Sequence, residues 1–289
     1  MLMTIICAIL GVTLSIVVTA TNNLYNGISD IWIPICLIFA FTIASAAAMI
    51  LIVLILTLFV DVKKPVKKPN KVWFAIYNFI NSFLVAWAGI NLKVKENEKL
   101  GKGPYLFVIN HRSNFDTMIV SVLYRKYKPI MISKPGNFKI PVAGPAIHEA
   151  GFLCMPRDDA KGALNVVNEA VNYLEEGKYS IGLCPEGTRN KNGRGLLPFK
   201  NGCLKIALRS KTPIVVLCVD GTEKIHKNFP FKRTKVYFDL IKVISPEEYE
   251  GKNTQQLGAE IAELMLKTIN SHQKIEDDVL TDESDKKVA

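Results

Sequence analysis

The first 60 residues contain neither lysine nor arginine, and Asp30 is their only acid. All 36 basic residues and 25 of the 26 acids therefore follow Val60. At 289 residues, 49% hydrophobic and 21% charged, the chain is neither disordered nor collagen-like. Its six cysteines (Cys7, Cys36, Cys154, Cys184, Cys203 and Cys218) form no CxxC pair, which argues against a disulfide scaffold and for reduced thiols. Four histidines without an HExxH leave no zinc-ligand spacing, so no metal is expected. The lack of a GxSxG elbow removes the obvious serine nucleophile, and there is no internal repeat.

The uncharged head consists of two apolar runs, Met1–Ala20 and Ile31–Val60, with Pro34 near the entry of the second. Twenty helical residues span about 30 Å, the hydrocarbon thickness of a bilayer. Thr21–Asp30, with Asn22, Asn23, Asn26 and Gly27, reads as a polar turn, so residues 1–60 are expected to form a transmembrane helical hairpin. Lys63, Lys64, Lys67, Lys68 and Lys71 follow it, whereas the turn has no basic residue. The positive-inside rule then places the rest of the chain on the cytoplasmic face. A cleaved signal peptide would start with a basic stretch, absent here. Residues 61–91 read as a basic linker and an aromatic-rich helix, buried or interfacial, within Trp73–Leu92.

Residues 92–272 alternate short apolar runs with helical periodicity. Strands are expected at Leu92–Lys95, Tyr105–Ile109, Pro129–Ile132, Phe152–Met155, Ser180–Cys184, Ile214–Val219 and Val236–Ile244. Helices are expected at Thr117–Tyr127, Gly162–Leu174, Cys203–Ser210 and Gln255–Ser271. The fold class is α/β, a single mixed-sheet domain behind the hairpin, and residues 273–289 read as a disordered charged tail. The basic body calls for an anionic partner: nucleic acid, phospholipid or a phosphorylated substrate. The apolar head decides for lipid, and no nucleic-acid-binding motif is present.

Two polar clusters sit at strand ends, where open α/β sheets place ligands. In Asn110–Asp116, His111 and Asp116 are five apart, about 140° around an ideal helix. They can meet only if His111 lies on the turn leaving the strand and Asp116 on the first helical turn. A carboxylate on one imidazole nitrogen fixes the tautomer and leaves the other to take a proton from a hydroxyl. The spacing alone is equally that of a helix cap beside a surface histidine. In Cys184–Arg189, Gly187 allows close backbone approach and Arg189 offers a planar fork for phosphate; Glu186 is placed to orient Arg189 or accept from a hydroxyl. Cys184, after an apolar strand, reads as core filler before nucleophile. His148, His226 and His272 lack a comparable carboxylate setting and read as structural.

These clusters make the sequence resemble the 1-acylglycerol-3-phosphate acyltransferase family over roughly Asn91–Met265. NHxSxxD is matched by Asn110, His111, Ser113 and Asp116. GxxFxxR is matched at Gly151 and Arg157, with Cys154 at the aromatic position. FPEGTR appears from Pro185 to Arg189 with Cys184 replacing Phe, and Thr212–Val216 represents the Pro-containing fourth motif. The resemblance implies that His111, held by Asp116, acts as general base on the hydroxyl of a lysophospholipid, which attacks an acyl thioester. Asn110, Ser113, Arg157, Glu186, Gly187, Thr188, Arg189 and Lys200 would bind substrate. It implies no cofactor beyond the co-substrate, acyl-CoA or acyl carrier protein, and a product, phosphatidic acid, that belongs to the bilayer. Another lysolipid, such as a lyso-ornithine lipid, would use the same dyad, and a non-catalytic lipid-binding protein would have no need of it.

Overall fold

The computed structural model describes residues 2–288 except Asn26, Ile28, Ser29, Lys63, Pro65, Lys67 and 192–194, with side chains between Ile5 and Lys274. Part of the expected polar turn, at Asn26, and of the basic run, at Lys63 and Lys67, thus lies outside the described residues. Packing separates the chain into two units, one of residues up to Phe83 with Asn137–Ala150, the other of Leu84–Gly136 with the chain from Gly151 onward. Composition alone divides the chain after Asn91 and does not isolate the second segment.

In the first unit, α1 (Leu2–Thr21) and α2 (Trp32–Leu58) run antiparallel. Their few polar groups stitch them together: Ser15 Oγ donates to the Pro34 carbonyl at 2.9 Å, and Ser45 Oγ to the Cys7 carbonyl at 3.4 Å. Gly11 lies between these contacts, where an added Cβ would sit 2.9 Å from the Ile38 carbonyl oxygen. Small residues let helix backbones approach in this way. α2, 27 residues with no part of its apolar window buried, is long and apolar enough to cross a bilayer; α1 is the shorter apolar helix. α3 (Lys71–Trp87) starts where the Asn70 side chain accepts the Val72 N–H at 2.9 Å.

Gly89, at φ +65°, turns the chain, so the last residues of the aromatic-rich stretch enter a strand. The second unit is built on a seven-stranded sheet ordered β1-β7-β6-β2-β5-β3-β4. The strands are β1 (Ile90–Glu96), β2 (Leu106–Ile109), β3 (Pro129–Ser133), β4 (Leu153–Cys154), β5 (Ser180–Leu183), β6 (Ile214–Asp220) and β7 (Thr234–Ile244). β6, β2, β5, β3 and β4 run parallel to one another, while β7 is antiparallel to β6 and parallel to β1. Every residue of β2, β5 and β6 is buried, as expected of parallel strands covered on both faces.

The helices α4 (Asn114–Leu123), α6 (Ala160–Glu175) and α7 (Lys205–Ser210) agree with the sequence periodicity within a few residues. α5 (Ala143–Glu149), in the first unit, was not expected; Gly144 and Pro145, both unfavourable in helix interiors, stand in its first turn. Pro145 falls in the first turn, where N–H groups have no helical acceptor, and so costs no hydrogen bond. Two further short helices, α8 (Ile225–Asn228) and α9 (Pro246–Tyr249), lie in connections. α10 (Thr254–Val288) buries Leu257, Ile261, Met265 and Ile269, one apolar stripe at helical spacing. The tail from 273, expected to be disordered, continues this helix to Val288. It contains neither glycine nor proline, and extending an existing helix avoids the cost of nucleation.

Candidate active site

Three adjacent parallel strands deliver the site. The ends of β6, β2 and β5 bring Asp220, Asn110–His111 and Cys184 to the same edge of the sheet. Ser113 caps α4 in a capping box with Asp116, which fixes the carboxylate on the first helical turn and brings it back over His111. His111 Nδ1 lies 2.9 Å from Asp116 Oδ2. The same oxygen accepts the Arg112 and Ser113 N–H groups at 2.7 Å each, and Oδ1 accepts the Thr222 hydroxyl at 2.5 Å. An acceptor-only carboxylate requires the imidazole to present Nδ1–H, so in the neutral ring the lone pair is on Nε2.

His111 is also clamped through its backbone. Its N–H donates to Glu186 Oε1 at 2.7 Å, and its carbonyl accepts the Asn190 N–H at 2.7 Å. Glu186 Oε2 accepts the Leu197 N–H at 2.8 Å. Only 2% exposed, this carboxyl has both oxygens committed, and burial raises its pKa. Burial pulls the His111 pKa down, but the Cys184 thiol, which hydrogen-bonds to the ring, and the Asp116 carboxylate outweigh it and bring it to about 10.

Cys184 also lines a cavity of about 520 Å³. Its apolar lining includes Ile132, Leu164, Val167 and Leu183, and its basic lining Lys134, Arg157, Lys200 and Lys205. Arg157 Nη2 donates to the Gly187 carbonyl at 3.4 Å. Gly187 has φ +65°, and an added Cβ would lie 3.1 Å from the Lys200 side chain, so a larger residue would strain the turn and crowd this lysine. Thr188 and Arg189 are exposed on the turn and do not line the cavity.

The structure brings His111 to Asp116 and, around the cavity, Arg157 to Gly187 and Lys200, and it gives three of the expected substrate contacts partners within the protein. Asn110, buried, uses its side-chain amide to pair with the Val219 backbone, at 2.8 Å from Nδ2 to the carbonyl and 2.7 Å from the N–H to Oδ1. It imitates a ladder bond between β2 and β6. Ser113 is a helix cap, its Oγ accepting the Phe115 N–H at 3.4 Å. Glu186 holds the His111 backbone and reaches neither Arg189 nor solvent. A motif shows which residues are polar but not whether the protein's own backbone occupies them.

Sequence reasoning missed Arg112 and Thr222. The Arg112 guanidinium is buried, with Nη1 2.9 Å from Asp220 Oδ1 and 3.6 Å from Glu223 Oε1. The signal available was an arginine inside the histidine motif and an Asp-Gly-Thr at the end of β6. Gly221 there has φ +90°, and a Cβ would come 2.5 Å from the Lys235 carbonyl oxygen.

The profile of the family described as Acyltransferase matches residues 91–220, from β1 through the last residue of β6. The 1-acyl-sn-glycerol-3-phosphate acyltransferase of Haemophilus influenzae is 30% identical over 165 residues, 57% of this chain and 68% of that one. The chain belongs to the 1-acyl-sn-glycerol-3-phosphate acyltransferase family. The enzyme of that name from Escherichia coli is 29% identical over 168 residues, 58% of this chain and 67% of its own. The crystal structure of the 1-acyl-sn-glycerophosphate (LPA) acyltransferase PlsC from Thermotoga maritima superposes with a TM-score of 0.56 at 20% identity, covering 69% of this chain and 79% of that one. That likeness concerns the fold.

Proposed function

We propose that this acyltransferase moves a fatty acyl group from acyl-CoA or acyl carrier protein to the sn-2 hydroxyl of 1-acylglycerol 3-phosphate, forming phosphatidic acid. One observation carries the reading. The His111 ring, held at Nδ1 by Asp116, neighbours Cys184, and Cys184 lines a cavity whose lining is apolar with four basic side chains. An anionic amphiphile needs that mixture.

His111 Nε2 accepts the hydroxyl proton as the oxygen attacks the thioester carbonyl. Asp116 stabilises the imidazolium, the tetrahedral intermediate collapses, and the thiolate leaves with the proton. The protein supplies position and charge, and the reaction needs no cofactor beyond the thioester. Arg157 and Lys200, with Arg189 at the outer side of the turn, hold the acceptor phosphate, since guanidinium groups match its geometry. Thr188 and Gly187 shape that turn.

The chain is read as an integral membrane protein, with the α1–α2 hairpin in the bilayer and the sheet on the cytoplasmic face. The charge asymmetry after α2 supports this orientation. A lysolipid chain of about sixteen carbons, at about 0.8 kcal/mol per buried methylene, stays in the membrane, so its enzyme belongs there too.

The experiment is turnover of lysophosphatidate with each donor type, beside a panel of other lysolipids, by wild type and His111→Ala. Phosphatidate formation by wild type alone, with lysolipid binding retained in the variant, is the expected outcome. Turnover that survives the substitution removes the base assignment.

A further inference from the structure

The sheet end that carries His111 carries another feature. β6 is parallel to β2, β7 is antiparallel to β6, and β1 is parallel to β7. β7 and β1 therefore begin at the end where β2 delivers His111. The loop entering β7 and the Trp87–Gly89 junction entering β1 share this edge with the catalytic turn.

Phe231 in that loop is 98% exposed, more than any other large apolar side chain among the described residues, those of α1 and α2 included. Trp87 is 61% exposed, with its ring centroid 4.5 Å from that of Phe229. The Arg233 Cα lies 3.9 Å from where a Cβ on Gly89 would be, so the loop packs beside the junction that bears Trp87. From Lys224 to Lys235 the chain carries Lys224, Lys227, Lys232, Arg233 and Lys235 and no acid. An exposed phenylalanine is unfavourable in water. Aromatic rings at headgroup depth with cations beside them are the composition that a membrane surface stabilises.

We infer that the 224–235 loop and Trp87 form a second membrane contact, in which Phe231 enters the interface and the basic residues take anionic phospholipid headgroups. This seats the catalytic end of the sheet on the leaflet, with His111 where the lysolipid headgroup lies. An acidic carrier protein would match the charge, but it would not require a ring projected fully into solvent. The contact holds whatever the acceptor of the reaction, and its test is independent of turnover.

The test places a benzophenone amino acid at Phe231 of the full chain, reconstituted in nanodiscs of phosphatidylcholine with or without phosphatidylglycerol. The same probe at Val94, exposed toward the other end of β1, is the control. Lipid adducts at 231 and few at 94 are expected, with a yield at least about threefold higher on the anionic discs. Lys232→Ala with Arg233→Ala should abolish that excess. Adducts no more frequent at 231 than at 94, or formed at 231 only with an added acyl carrier protein, would overturn the inference.

Discussion

Two histidines of this protein, His111 and His272, are each flanked by carboxylates, yet they do different work. His111 meets Asp116 through Nδ1 and keeps 19% of its side chain exposed. His272, on α10, is 7% exposed, with Nε2 2.6 Å from Asp239 Oδ2, Nδ1 3.7 Å from Asp220 Oδ2, and its ring stacked on Tyr237 at 4.5 Å. Burial lowers both, and the neighbours win in both: His111 reaches about 10 and His272 about 9. A raised pKa therefore does not identify a base. What separates the two is geometry, one nitrogen held by a carboxylate against both nitrogens bracketed by acids. They are connected, because Asp220 also takes the guanidinium of Arg112, whose backbone N–H supports Asp116.

The sharpest way to break this comparison is to truncate each ring. His111→Ala should lower kcat by about 10²–10⁴-fold, the usual worth of a general base. His272→Ala should act mainly on stability. Removing the cation leaves Asp220 and Asp239 buried with less compensation, a loss of about 3 kcal/mol in denaturant unfolding, while kcat stays within about tenfold. Equal losses of activity in the two variants would show that His272 is more than structural.

The sequence disclosed the first histidine and concealed the second for a physical reason. Asn110–Asp116 is one turn and a helix start, so its partners are contiguous and the capping geometry is local. His272 read as lacking carboxylates because Asp220 and Asp239 arrive on strands remote in sequence. The seven strands were legible because a doubly covered sheet writes itself as apolar runs, whereas α5 was hidden by Gly144 and Pro145. The backbone partners of Asn110 and Glu186 were hidden for the same reason as those of His272. Val219 and His111, whose backbones claim them, lie 109 and 75 residues away along the chain.

pH sharpens the contrast, because activity and stability should move in opposite directions. The folded-state pKa of His272 is raised above its ordinary 6.5, so its stabilisation is complete below that value and is lost as pH rises through about 9. At full size this is roughly 3 kcal/mol. His111 contributes in the same direction, up to about 10. Proton abstraction instead needs neutral His111, so kcat/KM should climb from pH 7 toward 10 while the unfolding midpoint falls. A plateau of kcat/KM already at pH 7 would contradict the assigned environment of His111. In the proposed phosphate site the effects are smaller: Arg157→Ala should raise KM for lysophosphatidate by about tenfold, as expected for a charge-assisted contact, and leave KM for the donor nearly unchanged.

The smallest effect tests the thiol beside the His111 ring. Cys184 hydrogen-bonds to the His111 ring and helps raise its pKa. If its role is confined to that, Cys184→Ala leaves kcat at high pH within about threefold of wild type and moves the rising limb of the kcat/KM profile to lower pH, since the imidazole loses one group favouring its protonated form. Were the thiol instead a nucleophile, forming an acyl-cysteine before the lysolipid arrives, the same change would abolish turnover at every pH. Mass spectrometry of wild type incubated with the acyl donor alone would then show an adduct on Cys184. The pH profile and the adduct search decide between these roles, because a supporting thiol shifts a titration and a nucleophile cannot be dispensed with.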